Sequence, residues 1–380
     1  MLMKKRFAAA ALSLLALASV GAQELKIGVV VSLSGATAIY GEPVPKTLKL
    51  LVDQLPDQKI AGHPVKLIVV DSESNSSKSV QLVRRLIDRD EVDVIIGPST
   101  SGEAIPIVPV VNQAKVPNIT FGSAEPVTTP VTPYVFGVAP YDRFGIGHIL
   151  DDLQKRGIKR IALVHSQDGF GQGGMNIFKE TAPKYGVELA VIESFAPQDT
   201  DMTPQLLRIR EADKIGAIVA WAPTPGPTIL LRNAAALKLK LPFYLGFAQA
   251  SNAFLEQVGP AGEGAFVSAL PIIAPDVMPA DDSRRAQMLS LSKEYKDKYG
   301  VAADQTVGHA LDSFLIIKSA VTDLKGPLTR TSLRDAIEKV RFCGANGCRA
   351  YSPEDHRGLE KSGLVMLQIK DGRWAAAPSP

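Results

Sequence analysis

The chain has 380 residues, 46% hydrophobic and 21% charged, with 42 Lys and Arg against 39 Asp and Glu. This balance fits a globular protein long enough for two domains. It leaves no basic footprint of the kind a nucleic-acid or membrane-surface partner selects.

Met1 to Phe7 carries Lys4, Lys5 and Arg6, Ala8 to Val20 is an apolar run, and Val20-Gly21-Ala22 fits a small-residue cleavage site. The order predicts a secretory signal peptide over residues 1–22 and a mature start near Gln23. The apolar run is too short to span a bilayer. No cysteine follows it, so no lipid anchor is expected. Loss of Lys4, Lys5 and Arg6 leaves 39 bases against 39 acids, so the pI near 8.7 overstates how basic the mature chain is.

Leu25 to Leu33 reads as a buried strand ending in Ser34-Gly35, followed by a loop with Tyr40 and a helix over Pro45 to Leu55. Val65 to Asp71 is a second strand. Ser76 or Ser77 can cap the next helix, where Val80, Val83 and Ile87 repeat at helical spacing. Val92 to Ile96 is a third strand, stopped by Gly97-Pro98. Ser99, Thr100 and Ser101 follow it and lead into a helix over Glu103 to Ala114. A helix start offers unpaired N–H groups, and hydroxyls there suit a small carboxylate. An ordinary turn with Ser as N-cap accounts for the same residues. Pro106 is tolerable near the helix start, whereas Pro109 is expected to kink or shorten the helix. Val116 to Phe121 is a strand ending in Gly122-Ser123-Ala124, and Tyr134 to Val138 a short one.

The alternation restarts after Ala139-Pro140. Helices over Arg143–Lys155, Phe170–Tyr185, Thr203–Ala212, Pro227–Leu237 and Ser251–Val258 alternate with strands over Arg160–His165, Val187–Phe195, Ile215–Trp221, Pro242–Phe247 and Gly264–Ala269. Thr203 is the expected cap of its helix. Three helical segments follow, Asp281–Tyr299, Thr306–Leu324 and Thr331–Val340, then a hairpin over Gly363–Trp374 turning at Asp371-Gly372. Strand and helix alternating twice predict an α/β protein with two parallel sheets, each flanked by helices. Ligands of such sheets bind at the carboxyl ends of the strands. Ser34-Gly35, Asp71-Ser72, Ser99–Ser101 and Gly122–Ala124 all gather there.

Gly169 to Gly174 contains a G-x-G-x-x-G, the dinucleotide fingerprint, with Glu193 roughly where an acid should meet a ribose. The first glycine lies four residues past the strand end, and an exported protein has little access to such cofactors, so none is expected. No nucleophile elbow, HExxH or P-loop occurs, and no catalytic residue or metal site is predicted. His165 at its strand end reads as a core or cap histidine rather than a catalytic one. Cys343 and Cys348, spaced C-x4-C, read as a short local disulfide in an exported protein. The alternative is half a zinc site, but the five histidines are scattered.

KIGVVVSLSG with YGE, VVDSESNSSKSVQLVRRLI, VDVIIGPSTS, VPNITFGSAEP, RIALVHSQDGFGQGG, YLGFAQASN and GPLTRTSLRDAI occur in that order. In them the mature chain resembles the type I periplasmic solute-binding proteins of ABC importers, within the branched-chain amino acid (Leu/Ile/Val) binding group. The resemblance implies two Rossmann-like lobes joined by a three-crossing hinge near Gly137–Pro140, Ala269–Ile272 and Phe342–Ser352. It sets lobes at 23–138 plus 271–345 and at 139–270 plus 346–380. It implies a monomeric periplasmic capture protein that hands a small solute to a membrane permease. Carried onto this sequence, it places Tyr40, Ser99, Ser101, Gly122, Ser123 and Ala124 on the first lobe's side of the ligand. Phe170, Trp221, Pro223, Ala248 and Gln249 fall on the second lobe's side. The family's amino-acid binders carry an acid for the ligand ammonium where this chain has Ala248. A buried ammonium without a countercharge is costly. That departure, with the family-like segment Tyr351–Leu359 (YSPEDHRGL), favours an organic acid, in particular an aromatic one, held among Phe170, Tyr40, Trp221 and Phe247. A branched-chain amino acid or amide is the alternative, and an exported enzyme on the same fold a distant one.

Overall fold

The computed structural model describes residues 23–359 and 363–380; the expected signal segment lies outside the described residues. A first sheet contains β1 (Leu25–Val31), β2 (Lys59–Ile60), β3 (His63–Asp71), β4 (Val94–Ile96), β5 (Asn118–Thr120) and β6 (Val135–Gly137). Its order is β2-β3-β1-β4-β5-β6, parallel throughout except for the edge strand β2. A second sheet contains β7 (Arg160–Ser166), β8 (Glu188–Phe195), β9 (Ala217–Trp221), β10 (Phe243–Leu245) and β11 (Phe266–Ala269). A separate hairpin, β12 (Arg341–Gly344) with β13 (Gly347–Ala350), comes before β14 (Val365–Lys370) and β15 (Arg373–Ala376), which extend the second sheet antiparallel. The second order is β15-β14-β11-β10-β9-β7-β8. The closing turn is at Asp371-Gly372, both at positive φ, as a tight two-residue hairpin needs.

The connecting helices are α1 (Pro43–Asp53), α2 (Ser76–Asp88), α3 (Ser101–Gln113), α4 (Asp142–Lys155), α5 (Gly169–Thr181), α6 (Thr203–Glu211), α7 (Gly226–Ala236) and α8 (Asn252–Val258). After them come α9 (Arg285–Tyr299), α10 (Gln305–Thr322) and α11 (Arg330–Ile337). Successive strand residues face opposite sides, and both sides are covered, so the strands are apolar throughout. Ile27, Val29 and Val31 pack with Leu48, Phe314, Ile317 and Leu333 of α1, α10 and α11. Val30 and Ile95 pack with Val83, Leu86 and Ile107 of α2 and α3. The second sheet repeats the plan, with α6, α7 and α8 on one side and α4 and α5 on the other.

Several local expectations are corrected. α2 is capped by Asn75, whose side chain accepts from Lys78 N–H at 2.9 Å, not by Ser76 or Ser77. Thr203 is the first residue of α6 and caps nothing; its own N–H donates to Asp201. α3 runs unbroken to Gln113 with both prolines inside. Pro106 cannot donate to Gly102 O, and that carbonyl instead accepts from Ser76 Oγ at 3.0 Å. Cys343 and Cys348 form a disulfide across the β12–β13 hairpin. His165 is buried with Nδ1 2.9 Å from Ser166 O.

Candidate functional site

The carboxyl ends of the two sheets border a cavity of about 250 Å³. It is larger than the roughly 150 Å³ that suffices for benzene in an apolar protein interior. Strand-end segments from both sheets line it, joined by the first turn of α10.

The wall on the first sheet's side is built from the β4–α3 turn. Gly97 is at φ +99° and a Cβ there would lie 2.0 Å from Val30 O, so only glycine lets the chain turn this close to β1. The N-cap of α3 is Thr100, whose side chain accepts from Glu103 N–H. With the cap supplied by Thr100, Ser101 faces the cavity. Ser101 Oγ accepts from Ala124 N–H at 3.1 Å, which fixes the oxygen and leaves its hydrogen to donate. Ser99 lines the same wall and its Oγ accepts from Ser32 N–H at 3.1 Å. Glu103, 2% exposed, also reaches this wall, but its carboxylate accepts from the hydroxyls of Ser32, Ser72, Ser79 and Thr100 at 2.5 to 3.5 Å. Its charge is spent on holding β1, β3 and α2 to the start of α3.

The opposite wall begins at α5. β7 ends at Ser166 and α5 starts at Gly169, so the Gly-rich segment is helix, not loop, and the connection is shorter than the sequence implies. The glycines have packing reasons. A Cβ on Gly171 would lie 2.1 Å from Ser166 O, and one on Gly174 2.1 Å from the Trp221 indole. The Gly171 N–H is already held by Asp168 Oδ1 at 2.8 Å, and Glu193 pairs with Arg208, so neither serves a dinucleotide. Phe170 and Phe247 line the cavity, and Trp221 stands behind them, fully buried. Trp221 stacks on Phe170 at 5.2 Å and meets Phe247 edge-on at 5.7 Å.

Of the sequence-selected residues, Tyr40, Ser99, Ser101, Ser123, Phe170, Pro223 and Ala248 border the cavity. Gly122, Ala124, Trp221 and Gln249 do not, and each has another task. Gly122 O accepts from the Arg357 guanidinium, Ala124 N–H serves Ser101, and Gln249 Nε2 donates to Ala222 O. Phe121, Phe195, Asp168, Gln305, Thr306 and His309 border it without having been selected. Phe121 and Phe195 end strands at the predicted cleft and were findable on that ground. Asp168 changes an electrostatic expectation: Ala248 brings no acid, yet an acid reaches the cavity from the cap of α5. The three from α10 lie far along the chain, and nothing local in their sequence marks them.

Tyr40 joins the two walls. Its hydroxyl accepts from Thr224 N–H at 2.8 Å, and burial pushes its pKa up to about 12, so it stays protonated. Among the described residues no Lys or Arg lines the cavity; positive potential comes from helix starts, since α3, α5, α7 and α10 all begin there. Among the described residues no three His, Cys, Asp or Glu side chains form a metal-binding cluster, and no helix is long and apolar enough to cross a membrane.

The model of the family described as periplasmic binding protein matches residues 24–373. The chain belongs to that family. This periplasmic binding protein is 25% identical over 235 residues to a Leu/Ile/Val-binding protein, BraC3, of Rhizobium johnstonii. The match covers 60% of this chain and 63% of that protein, so the chain spans less than two thirds of the relative's length. An extracellular ligand-binding receptor from Rhodopseudomonas palustris HaA2 superposes with a TM-score of 0.86 at 27% identity, covering 93% of this chain and 99% of that one. An ABC-transporter solute-binding protein from Rhodopseudomonas palustris BisB5, solved with 3,4-dihydroxybenzoic acid, gives 0.80 at 20% identity, covering 94% and 99%. The two parallel-dominated sheets and these likenesses make the architecture the type I periplasmic binding protein fold.

Proposed function

We propose that this protein is the capture component of an ABC importer, taking a small carboxylate-bearing solute, in particular an aromatic or other organic acid, between two hinged lobes. The observation that carries the reading is the cavity between two sets of strand ends. Its apolar sides come from Phe121, Phe170, Phe195 and Phe247, and its polar side has the Ser101 hydroxyl at a helix start. A carboxylate at Ser101 meets N–H groups and a positive dipole end without needing a cation. The Tyr40–Thr224 contact supports closure of the lobes over bound solute. The chain passes between the sheets after Gly137, after Ala269 and before Val365. Tyr351 packs in the first sheet's core and Arg357 grips Gly122, which supports a third crossing later than residue 345. The filled form would then dock on a membrane permease.

A second reading, a branched-chain amino acid, is favoured by Asp168, whose carboxylate could meet an ammonium, and by the Leu/Ile/Val-binding relative. Thermal melting with a solute panel separates the two, because stabilisation follows RT ln(1 + [L]/Kd). Benzoates should raise the midpoint more than leucine or valine. The reverse order would select the second reading, and no shift with any carboxylate would overturn the capture function.

A further inference from the structure

β6 ends at Gly137, and the chain then leaves the first sheet for α4. Buried carbonyls on such a stretch need donors that the sheet no longer supplies. Two guanidiniums supply them. Arg349 donates to Gly137 O and Val138 O at 2.9 and 2.6 Å, and Arg357 to Ala139 O and Pro140 O at 3.0 and 3.2 Å. Four consecutive carbonyls are thus held by two buried side chains. Among the described residues neither guanidinium meets a carboxylate at hydrogen-bond distance, so an ion pair does not account for either. Their charge goes instead into hydrogen bonds to the backbone, which are stronger for carrying it.

Arg357 also reaches both walls of the cavity without bordering it. Its Nη2 donates to Gly122 O at 3.1 Å and to Thr128 Oγ1 at 3.0 Å. Gly122 opens the stretch in which Ala124 N–H holds Ser101 Oγ. On its other side the guanidinium lies 4.6 Å from the ring centre of Tyr141, the residue before α4. α4 backs the aromatic wall: a Cβ on Gly145 would lie 2.9 Å from the Phe247 ring and 3.2 Å from Trp221. One rigid, planar fork therefore joins the Ser101 wall to the chain that leads to the Phe247 wall. We propose that Arg357 is a positioning residue for capture, fixing the direction in which the chain leaves the first lobe and so setting one wall against the other, with Arg349 holding the crossing behind it. The inference rests on the capture reading above and extends it to a residue that touches no solute.

Arg357→Lys keeps the charge and loses the fork, so it cannot hold Gly122 and the crossing together. Calorimetry with benzoate and with leucine, run well below the melting point of each protein, gives Kd. Small-angle scattering with and without the solute gives compaction. For the probe that binds the unaltered chain more tightly, Kd should rise at least about tenfold, as loss of one hydrogen bond to a charged group entails, and the compaction should shrink. Thr128→Val, which takes one acceptor from the fork and leaves the arginine in place, should move both in the same direction by a few-fold. A merely structural arginine would lower the melting point and leave Kd and compaction as they are, and that result would overturn the assignment. If Arg357→Lys does not fold, an unchanged Kd in Thr128→Val overturns it. If neither probe binds the unaltered chain, the result counts against the capture reading, and the solute-free proteins decide the positioning role separately. Scattering profiles that differ between the unaltered chain and Arg357→Lys would support that role, and identical ones would overturn it.

Discussion

Tyr40→Phe tests how the two walls are joined. The substitution keeps the ring and removes one oxygen, the acceptor for Thr224 N–H at 2.8 Å. A neutral hydrogen bond contributes about 0.5–1.5 kcal/mol net, and leaving the buried N–H unpaired raises the loss to about 1–3 kcal/mol. Under the proposed closure Thr224 would meet Tyr40 only with the lobes together, so the loss would fall on the closed form, while in an open form water would serve both groups. Since about 1.4 kcal/mol is a factor of ten, the ligand's Kd should rise about 5- to 150-fold, with little change in the melting point of the ligand-free protein. Calorimetry gives the Kd, and small-angle scattering with and without ligand reports compaction. An affinity within twofold of the unaltered chain, with the same compaction, would show that this hydrogen bond does not contribute to closure.

Three further outcomes are expected. Asp168→Asn keeps the α5 cap, since Asn caps as well as Asp. It removes a negative charge from the wall, so an organic acid should bind a few-fold more tightly, whereas an amino acid held through its ammonium would bind much more weakly. Asp142 opens α4 fully buried, and burial outweighs the help of Ser123 and Arg357, so its pKa is pushed up to about 7. The folded state therefore holds this proton more tightly than the unfolded chain, whose carboxyl titrates near 3.9. The associated stability is complete below about pH 4 and is lost as pH rises to about 7. Asp142→Asn should raise the melting point at pH 8 more than at pH 5, and an equal gain at both would refute the assignment. Asp304 and Asp312, both raised to about 6 by burial, leave a residual slope of the same sign. Finally, Cys343→Ser opens a loop of five-residue separation and should cost about 2 kcal/mol in urea unfolding, as short loops constrain the unfolded chain little. A much larger loss would mean that the disulfide holds more than its own hairpin.

Much of this protein is legible in its sequence because the relevant physics is local. β-branched runs alternating with amphipathic segments specify parallel strands and covering helices, and Asp371-Gly372 specifies its hairpin from the conformational freedom of two residues. The wall residues that follow strand ends, Ser99, Ser101 and Ser123, are expected from the rule that such sheets bind at their carboxyl edge. What needed the tertiary structure was everything set by distance across the fold. Only there does Thr100 rather than a serine take the cap, which turns Ser101 toward the cavity. Trp221 belongs to a strand end by sequence, but the gap left by Gly174 draws it behind Phe170 instead of into the wall. The missing acid at Ala248 is a local fact; the arrival of Asp168 at the same cavity is not. Gln305 and His309 reach the site because α10 packs back across the first sheet beside α1, an approach made by Phe314 and Ile317 in the core rather than by anything in the turn that carries the polar pair.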